Sequence, residues 1–279
     1  MEIRELQSWD DFDGVIDEIV QFRENHKQTI SGIPLSQSSF LFRGQANGEW
    51  PLETTLERIM GPNYKLLDYY RLISRVKSRI ETFTDRTWEI KEIKDFDDWL
   101  TKNDFMDLSS IPAYEYMVYL RHHGFPSPLL DWTTSPYVAA YFAFREILSK
   151  AEAVAIFVYL QDFGTRGGVS NQPYINPMRS NVRSDQRHFL QQSNYTICTK
   201  GAEKDTCYCS HEEAFSNKTV GVHEAGQDML WKIKIPSSER RKAIKELELY
   251  NVNAYSLFPS EESLMETVFM REFFKAFGI

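Results

Sequence analysis

The sequence has no excess of basic residues. Its 279 residues include 32 Lys and Arg against 40 Asp and Glu, which gives a formal net charge of −8. A protein that binds DNA or RNA along an extended groove usually carries a broad basic face, so we expect no such groove here. This balance leaves room for a local basic site that holds a single nucleotide.

Long hydrophobic runs are missing too. No stretch approaches the ~20 apolar residues of a membrane-spanning helix. Residues 1–5 are polar, so we expect neither a membrane span nor a secretory leader. The three cysteines are an odd number and fit a reducing cytoplasm. Hydrophobic residues make up 42% of the chain, enough to bury a core without disulfides or metal.

Common catalytic motifs are absent, including the G-x-S-x-G elbow, the G-x-x-x-x-G-K-[ST] loop and the G-x-G-x-x-G turn. One group of residues, Cys198, Cys207, Cys209 and His211, contains the atoms that zinc prefers. Its C-x-C-x-H spacing differs from that of common zinc fingers. We therefore predict a loop without metal and keep zinc as the alternative.

Hydrophobic periodicity predicts a mixture of helices and strands. The helices are expected at 9–24, 66–81, 113–122, 136–148, 239–250 and 261–276. The strands are expected at 39–43, 153–160, around 195–197, at 229–235 and at 254–258. Residues 85–111 form an acidic, aromatic insertion of irregular or helical structure. Because strands and helices do not alternate strictly, we predict an α+β fold in a single domain, 1–279.

The first unusual segment is FLFRGQ, residues 40–45, which places Arg43 on a short apolar strand. A guanidinium is rarely buried unless an anion meets it. The partner of Arg43 is therefore either a carboxylate of this chain or a phosphate from outside.

The second unusual segment is LLDWTTSP, residues 129–136, which leads into a predicted helix. Ser135 is a favoured N-cap and Pro136 fits the first helical position. Thr133 and Thr134 add two hydroxyls beyond what capping requires. Helix starts also offer free N–H groups, so these hydroxyls are candidates for holding a ligand.

These segments resemble the FRG domain family, which is called after the tripeptide found here as Phe42-Arg43-Gly44. HHGFPSPLLDWT at 122–133 is similar to the family's H-x-G-x-P-T-R-L-L-D-W-T block, with Ser127 and Pro128 replacing its Thr and Arg. RHFLQQSNYT at 187–196 resembles its R-x-x-x-Q-x-G-x-F-T block, with Ser193 replacing Gly. WKIKIP at 231–236 and LFP at 257–259 are similar to its closing segments. The resemblance extends over about 35–265.

FRG domains in turn resemble ADP-ribosyltransferases. The resemblance implies a split antiparallel sheet flanked by helices, with NAD as substrate. It also implies three motifs: an aromatic-Arg strand, a hydroxyl-rich strand before a helix, and a Glu or Gln on a later strand. Catalytic roles would fall to Arg43, Ser135 and Gln191. Contacts to NAD would come from Arg43, Gly44, Gln45, His122, Asp131, Trp132, Thr133 and Thr134.

Each of these residues also has a purely structural interpretation. Arg43 could form a buried ion pair, the hydroxyls could only cap the helix, and Trp132 fits core packing better than stacking on a ligand ring. His122, Asp131 and Gln191 could be ordinary residues of a helix end, a turn and a strand.

The third motif is incomplete, because Gln191 is neutral and cannot act as a general base. A carboxylate would have to come from elsewhere, with Asp131, Glu224 and Glu261 as candidates, unless the acceptor arrives already activated. Two hypotheses follow. The first is an enzyme that transfers ADP-ribose from NAD to a protein or nucleic acid, as a toxin restrained by an antitoxin partner or as a phage-defence effector. The second is a noncatalytic module that senses a nucleotide or a partner protein.

Overall fold

A computed structural model describes residues 1–25, 29–30, 33–34, 39–103, 108–161, 172–178, 186–201, 205–216 and 228–276. The strands are β1 (Glu2–Glu5), β2 (Thr29–Ile30), β3 (Ile33–Pro34), β4 (Leu41–Gln45), β5 (Leu130–Thr133), β6 (Ala153–Leu160), β7 (Tyr174–Pro177), β8 (Ser193–Lys200), β9 (Cys207–Tyr208) and β10 (Met229–Pro236). The helices are α1 (Phe12–Asn25), α2 (Thr55–Met60), α3 (Leu66–Thr84), α4 (Ile93–Lys102), α5 (Tyr114–His122), α6 (Pro136–Arg145), α7 (Gln186–Leu190), α8 (Glu213–Ser216), α9 (Arg240–Leu249), α10 (Ala254–Leu257) and α11 (Glu261–Ala276).

Within the described residues, eight strands form one sheet in the order β1-β10-β6-β4-β5-β8-β7, with β9 paired to β8. β1 and β10 are parallel, and the other pairs are antiparallel. This confirms the predicted α+β class. β2 and β3 form a separate hairpin.

The pairing between β4 and β5 is very short. β4 matches β6 over five positions and β5 matches β8 over four, whereas β4 and β5 share the single pair Phe42↔Thr133. We call this boundary, together with the side chains of Arg43, Arg121 and Asp131, the seam. It lies between two parts of the sheet, which we call its halves: β1-β10-β6-β4 and β5-β8-β7 with β9.

Each half of the sheet has its own layer of helices. Helices α1, α6, α9 and α11 pack on one face of β4, β6 and β10, around Phe42, Ile156 and Ile233. Helices α3, α4 and α5 pack around Tyr195 and Ile197 of β8. On the opposite face, a third cluster includes Leu41, Trp132, Phe157 and Cys209.

One expectation from the sequence is wrong. Residues 254–257 form helix α10 rather than a strand, because Asn253 caps them by accepting a hydrogen bond from the Ser256 N–H. β10 has buried residues on both faces, since Trp231 and Ile233 join the cluster under the helices and Leu230 joins the cluster on the opposite face. The 85–111 segment contains α4, whose Phe96 stacks on Tyr70 in the core at 3.8 Å between ring centroids. In the described part of this segment the exposed acidic residues are Asp85, Glu89, Glu92, Asp95 and Asp98.

Candidate functional site

The structure shows which anion meets Arg43. Its Nη1 atom donates to the Asp131 carboxylate at 2.6 Å and to the Asp131 carbonyl at 2.8 Å. The side chain is 13% exposed. Because β4 and β5 separate beyond Phe42↔Thr133, the guanidinium bridges the two strands where backbone pairing stops. The immediate partner of Arg43 is thus a carboxylate of this chain.

A second arginine, Arg121, reaches the same carboxylate oxygen. It lies in the last turn of α5 and donates from Nη2 to Oδ1 of Asp131 at 2.5 Å. Sequence reasoning missed Arg121, although it directly precedes the His122-His123-Gly124 block that carries the family resemblance. Two guanidiniums therefore share one carboxylate, which leaves one net positive charge in the seam.

The two arginines stabilise the negative charge of Asp131. Burial alone would raise the pKa of Asp131, but the positive charges of Arg121 and Arg43 outweigh burial and hold the pKa well below its usual range. The Asp131 side chain is nevertheless 44% exposed, whereas both arginine side chains are under a fifth exposed. We therefore place the opening of the seam to solvent at the Asp131 side chain, although protein atoms surround it closely.

Both arginines keep capacity to bind. The Nε atoms of Arg43 and Arg121 are buried and have no hydrogen-bond partner among the described residues. A buried polar atom without a hydrogen-bond partner costs free energy. The Arg43 charge also acts on His211 behind the sheet. Burial first, and then Arg43, lower the pKa of His211 to about 3.

The hydroxyl trio has three different roles. Ser135 caps α6, since its Oγ accepts a hydrogen bond from the Val138 N–H at 3.3 Å. The Thr133 hydroxyl accepts from the Ser135 N–H at 3.1 Å. Thr134 is exposed, and its hydroxyl donates to the side chain of Gln192 at 2.8 Å. Of the three hydroxyls, that of Thr134 is therefore the most accessible to a ligand.

Gln191 and Gln192 form the turn between α7 and β8. The Gln191 side chain donates to the carbonyl of Leu257 at 3.1 Å, away from the hydroxyl trio. Gln192 has a positive φ of 49°, and its backbone carbonyl accepts from the Thr134 N–H. The amide that meets the hydroxyls is thus Gln192, the neighbour of the predicted Gln191. The Gln-Gln pair in the sequence gave no means of choosing between them.

His122 faces β8 beside the seam. Its Nε2 lies 2.7 Å from the Tyr195 hydroxyl, and His188 Nδ1 lies 3.3 Å from the same oxygen. Burial raises the pKa of Tyr195, and the nearby Asp131 charge adds to this effect, so the phenol stays protonated. This arrangement gives His122 a definite structural partner.

The remaining predicted contacts lie in the core. Trp132 is 3% exposed, and its Nε1 donates to the Thr196 hydroxyl at 2.8 Å. Gly44 packs directly against the backbone of α6. Gln45 is buried, and its side-chain nitrogen donates to the carbonyl of Pro51 at 3.2 Å. Trp132 and Gln45 thus have hydrogen-bond partners within the protein, and Gly44 lies against α6.

The candidate carboxylates and the candidate zinc ligands are spread over several places. Glu261 is exposed at the start of α11, four residues after Leu257. Glu224 lies outside the described residues. Cys207 donates to the Asp205 carbonyl, whereas the Cys198 and Cys209 sulfurs meet each other. In the part of the chain that the structure describes, no three His, Cys, Asp or Glu side chains are placed to hold one metal ion.

Comparison with known families agrees with the resemblance read from the motifs. Residues 38–152 match the family model of the FRG domain. This stretch includes Arg43, Arg121, Asp131 and the hydroxyl trio. The blocks at 187–196, 231–236 and 257–259 lie outside the match. No curated protein and no solved structure matches the chain. In the described residues, every helix is too short or too polar to cross a bilayer.

Proposed function

We propose that the seam binds NAD and that the protein is an ADP-ribosyltransferase. The observation that carries this proposal is the convergence of three segments on adjacent strands. β4 carries Arg43, β5 leads into the hydroxyl trio, and the Gln191-Gln192 turn leads into β8. The order of these motifs in the sequence resembles the superfamily, and the sheet brings them side by side. The division of the sheet at Phe42↔Thr133 supports the split-sheet form of that fold.

Charge supports an anionic ligand at this place. Arg43 and Arg121 together carry two positive charges, and Asp131 neutralises one of them. Arg58 adds a further positive charge that acts on Arg43. In a chain with a net charge of −8, this local surplus suits the diphosphate of a dinucleotide.

Polar groups at the opening suit a ribose. Thr134 is exposed and already forms a hydrogen bond with the Gln192 amide. A ribose hydroxyl can replace either partner at little cost, because both groups are accessible to water. Thr134 and Gln192 would orient the sugar while positive charge grows on it as the bond to nicotinamide breaks.

The charge-stabilising carboxylate is the open part of the mechanism. Asp131 is held by two arginines and serves better to position them than to accept a proton. Among the remaining candidates, Glu261 is exposed at the start of α11, four residues after Leu257, whose carbonyl accepts from the Gln191 side chain. We propose Glu261 for this role, with a nucleophile supplied by a protein or nucleic-acid acceptor.

The direct test is the release of nicotinamide from NAD by the purified protein, with and without cell extract as a source of acceptors. Thr134→Val removes an exposed hydroxyl at the opening and should reduce release at least tenfold. Thr82→Val removes an exposed hydroxyl on α3 that bonds only its own helix, so it is the matched control and should release at the wild-type rate. Equal loss in both variants would contradict the assignment.

A noncatalytic nucleotide-sensing module is the second candidate. Asp131 accepts hydrogen bonds from two arginines, and the Gln191 side chain donates to Leu257. Neither group is then free to take part in turnover, which favours this candidate. Calorimetric titration with NAD, ADP-ribose and nicotinamide separates the two candidates. Binding of NAD and ADP-ribose without release of nicotinamide would establish the module. No binding of any of them would remove the ADP-ribosyltransferase and the NAD-sensing module, and would leave a module that senses another nucleotide or a partner protein.

A toxin or phage-defence role belongs to the same proposal. An enzyme that consumes NAD needs restraint, and the acidic outer side of residues 85–103 is a surface that an antitoxin could cover. Induced expression of the intact chain should arrest growth, and Thr134→Val should relieve the arrest. Unchanged growth with the wild-type chain would count against this role.

A further inference from the structure

Two buried thiols face each other on neighbouring strands behind the seam. The Sγ atoms of Cys198 and Cys209 are 3.5 Å apart, and each residue is 2% exposed. The β8–β9 register pairs Thr199 with Tyr208, so Cys198 and Cys209 are the next opposed pair. The Cys209 N–H donates to the Cys198 carbonyl at 3.0 Å, which extends the ladder to this position.

This backbone geometry meets the requirement for a cross-link. Directly opposed residues that share ladder hydrogen bonds in an antiparallel pair have Cα atoms about 5.5 Å apart. Disulfides span Cα separations of about 4.4–6.8 Å. The two sulfurs are therefore close enough to bond through a small rotation of the side chains, without movement of the strands.

We propose that Cys198 and Cys209 form a reversible disulfide, a modification site distinct from the proposed NAD reaction. The oxidant class proposed is peroxide, which is small and neutral. Because burial raises the pKa of the Cys198 thiol, we expect the reaction to be slow. One thiol gives its sulfur to a peroxide oxygen and forms a sulfenic acid and water. The second sulfur then displaces a second water. The two thiols thus lose two protons and two electrons to the peroxide, which leaves as two waters.

The cross-link would act on the residues that pack against β5 on the face of the sheet that carries Trp132. Cys209 precedes His211, whose Nε2 lies 2.7 Å from the Thr196 hydroxyl, and Thr196 also accepts the Trp132 indole N–H. Tying Cys209 to β8 would therefore fix the segment that supports β5 from behind. The third cysteine, Cys207, points elsewhere and donates to the Asp205 carbonyl.

The test is peroxide treatment of the folded wild-type chain, followed by alkylation and peptide mass mapping. We expect a Cys198–Cys209 peptide pair with a mass loss of two hydrogens, reversed by dithiothreitol. The oxidised chain should melt about 5 °C higher, because the cross-link restricts the unfolded chain. Cys207→Ser is the matched control and should form the same disulfide.

Two outcomes would overturn the proposal. One is recovery of all three thiols after peroxide treatment, and the other is a disulfide that maps to Cys207. Mapping on the wild-type chain needs no substitution in the core, so a variant that fails to fold cannot obscure the result. Nicotinamide release and its Thr134 dependence are measured on the reduced chain, which keeps this test separate from that of the NAD reaction.

Discussion

Asp131 carries one negative charge between two guanidiniums. Asp131→Asn keeps the size of the side chain but leaves Arg43 and Arg121 as close like charges. We expect the free energy of unfolding to fall by about 2 kcal/mol, less than the about 3–5 kcal/mol for breaking a fully buried pair, because the Asp131 side chain is 44% exposed. Urea unfolding measures the change. Asp68→Asn breaks the exposed helical pair with Arg71 and should cost under about 1 kcal/mol. Equal losses would mean that the seam contributes no more than a surface pair.

His211 should make stability depend on pH. The pKa of His211 is about 3 in the folded protein and about 6.5 in the unfolded chain. Between these two pH values the unfolded chain binds a proton at His211 and the folded protein does not. The contribution of neutral His211 to the free energy of unfolding is complete above pH 6.5 and is lost as the pH falls towards 3. We expect about 1.4 kcal/mol of lost stability per pH unit in this window.

The measurement is urea unfolding of the wild-type chain and of His211→Gln between pH 7 and pH 4. The variant is expected to be less stable at pH 7, and its curve should be flatter with pH. If both proteins lose stability in parallel, His211 does not carry the effect.

Gly44 sets the contact between strand β4 and helix α6. A Cβ atom at this position would lie 1.9 Å from the Ala139 carbonyl oxygen and 2.6 Å from the Ala143 nitrogen. Both are backbone atoms, so the whole helix would have to move. We expect Gly44→Ala to cost about 3 kcal/mol in unfolding free energy. This explains physically why glycine follows the arginine in the tripeptide.

The matched control for Gly44→Ala is Gly14→Ala in α1, where nothing lies within 4 Å of the added Cβ. There alanine should stabilise the chain by about 0.5–1 kcal/mol, because glycine loses more backbone entropy in a helix. If Gly44→Ala were as well tolerated, the close packing of α6 on β4 would be wrong.

Helix α6 also lets capping be separated from a role at the site. Ser135→Ala removes the cap and should cost about 1 kcal/mol, whereas Ser135→Asn restores a good cap. If the hydroxyl contacts NAD, Ser135→Asn should recover the unfolding free energy but release nicotinamide at least tenfold more slowly than wild type. Full activity of Ser135→Asn would reduce Ser135 to a helix cap.

At the scale of the whole molecule, local patterns predicted much of the fold. The Ser135-Pro136 helix start and the AVAIFVYL strand follow from short-range rules and are found as α6 and β6. Strand pairings between segments that are distant in the sequence could not be predicted. The exposed β1 lies parallel to β10 across more than 220 residues, and nothing in its polar sequence indicates that neighbour.

The same limit applies to the candidate site. Arg43, Asp131 and the hydroxyl trio could be identified because each stands out in its own segment. Arg121 could not, because its importance depends on α5 ending beside β5, which is a tertiary property. The choice between Gln191 and Gln192 depends on the positive φ of Gln192, which turns one amide towards Thr134 and the other towards Leu257.

Binding at a boundary between two halves of a sheet should stabilise the entire fold. If NAD occupies the seam, it contacts both β4 and the β5–β8 half, so unfolding of either half must release it. At a free NAD concentration a hundredfold above Kd, the free energy of unfolding should rise by about 2.7 kcal/mol. For a chain of this size we expect the melting temperature to rise by about 5–10 °C. Thermal unfolding with NAD, ADP-ribose and nicotinamide measures it. ADP-ribose should reproduce most of the shift and nicotinamide little if the arginines bind the diphosphate as proposed. A larger shift with nicotinamide than with ADP-ribose would place the ligand away from Arg43 and Arg121.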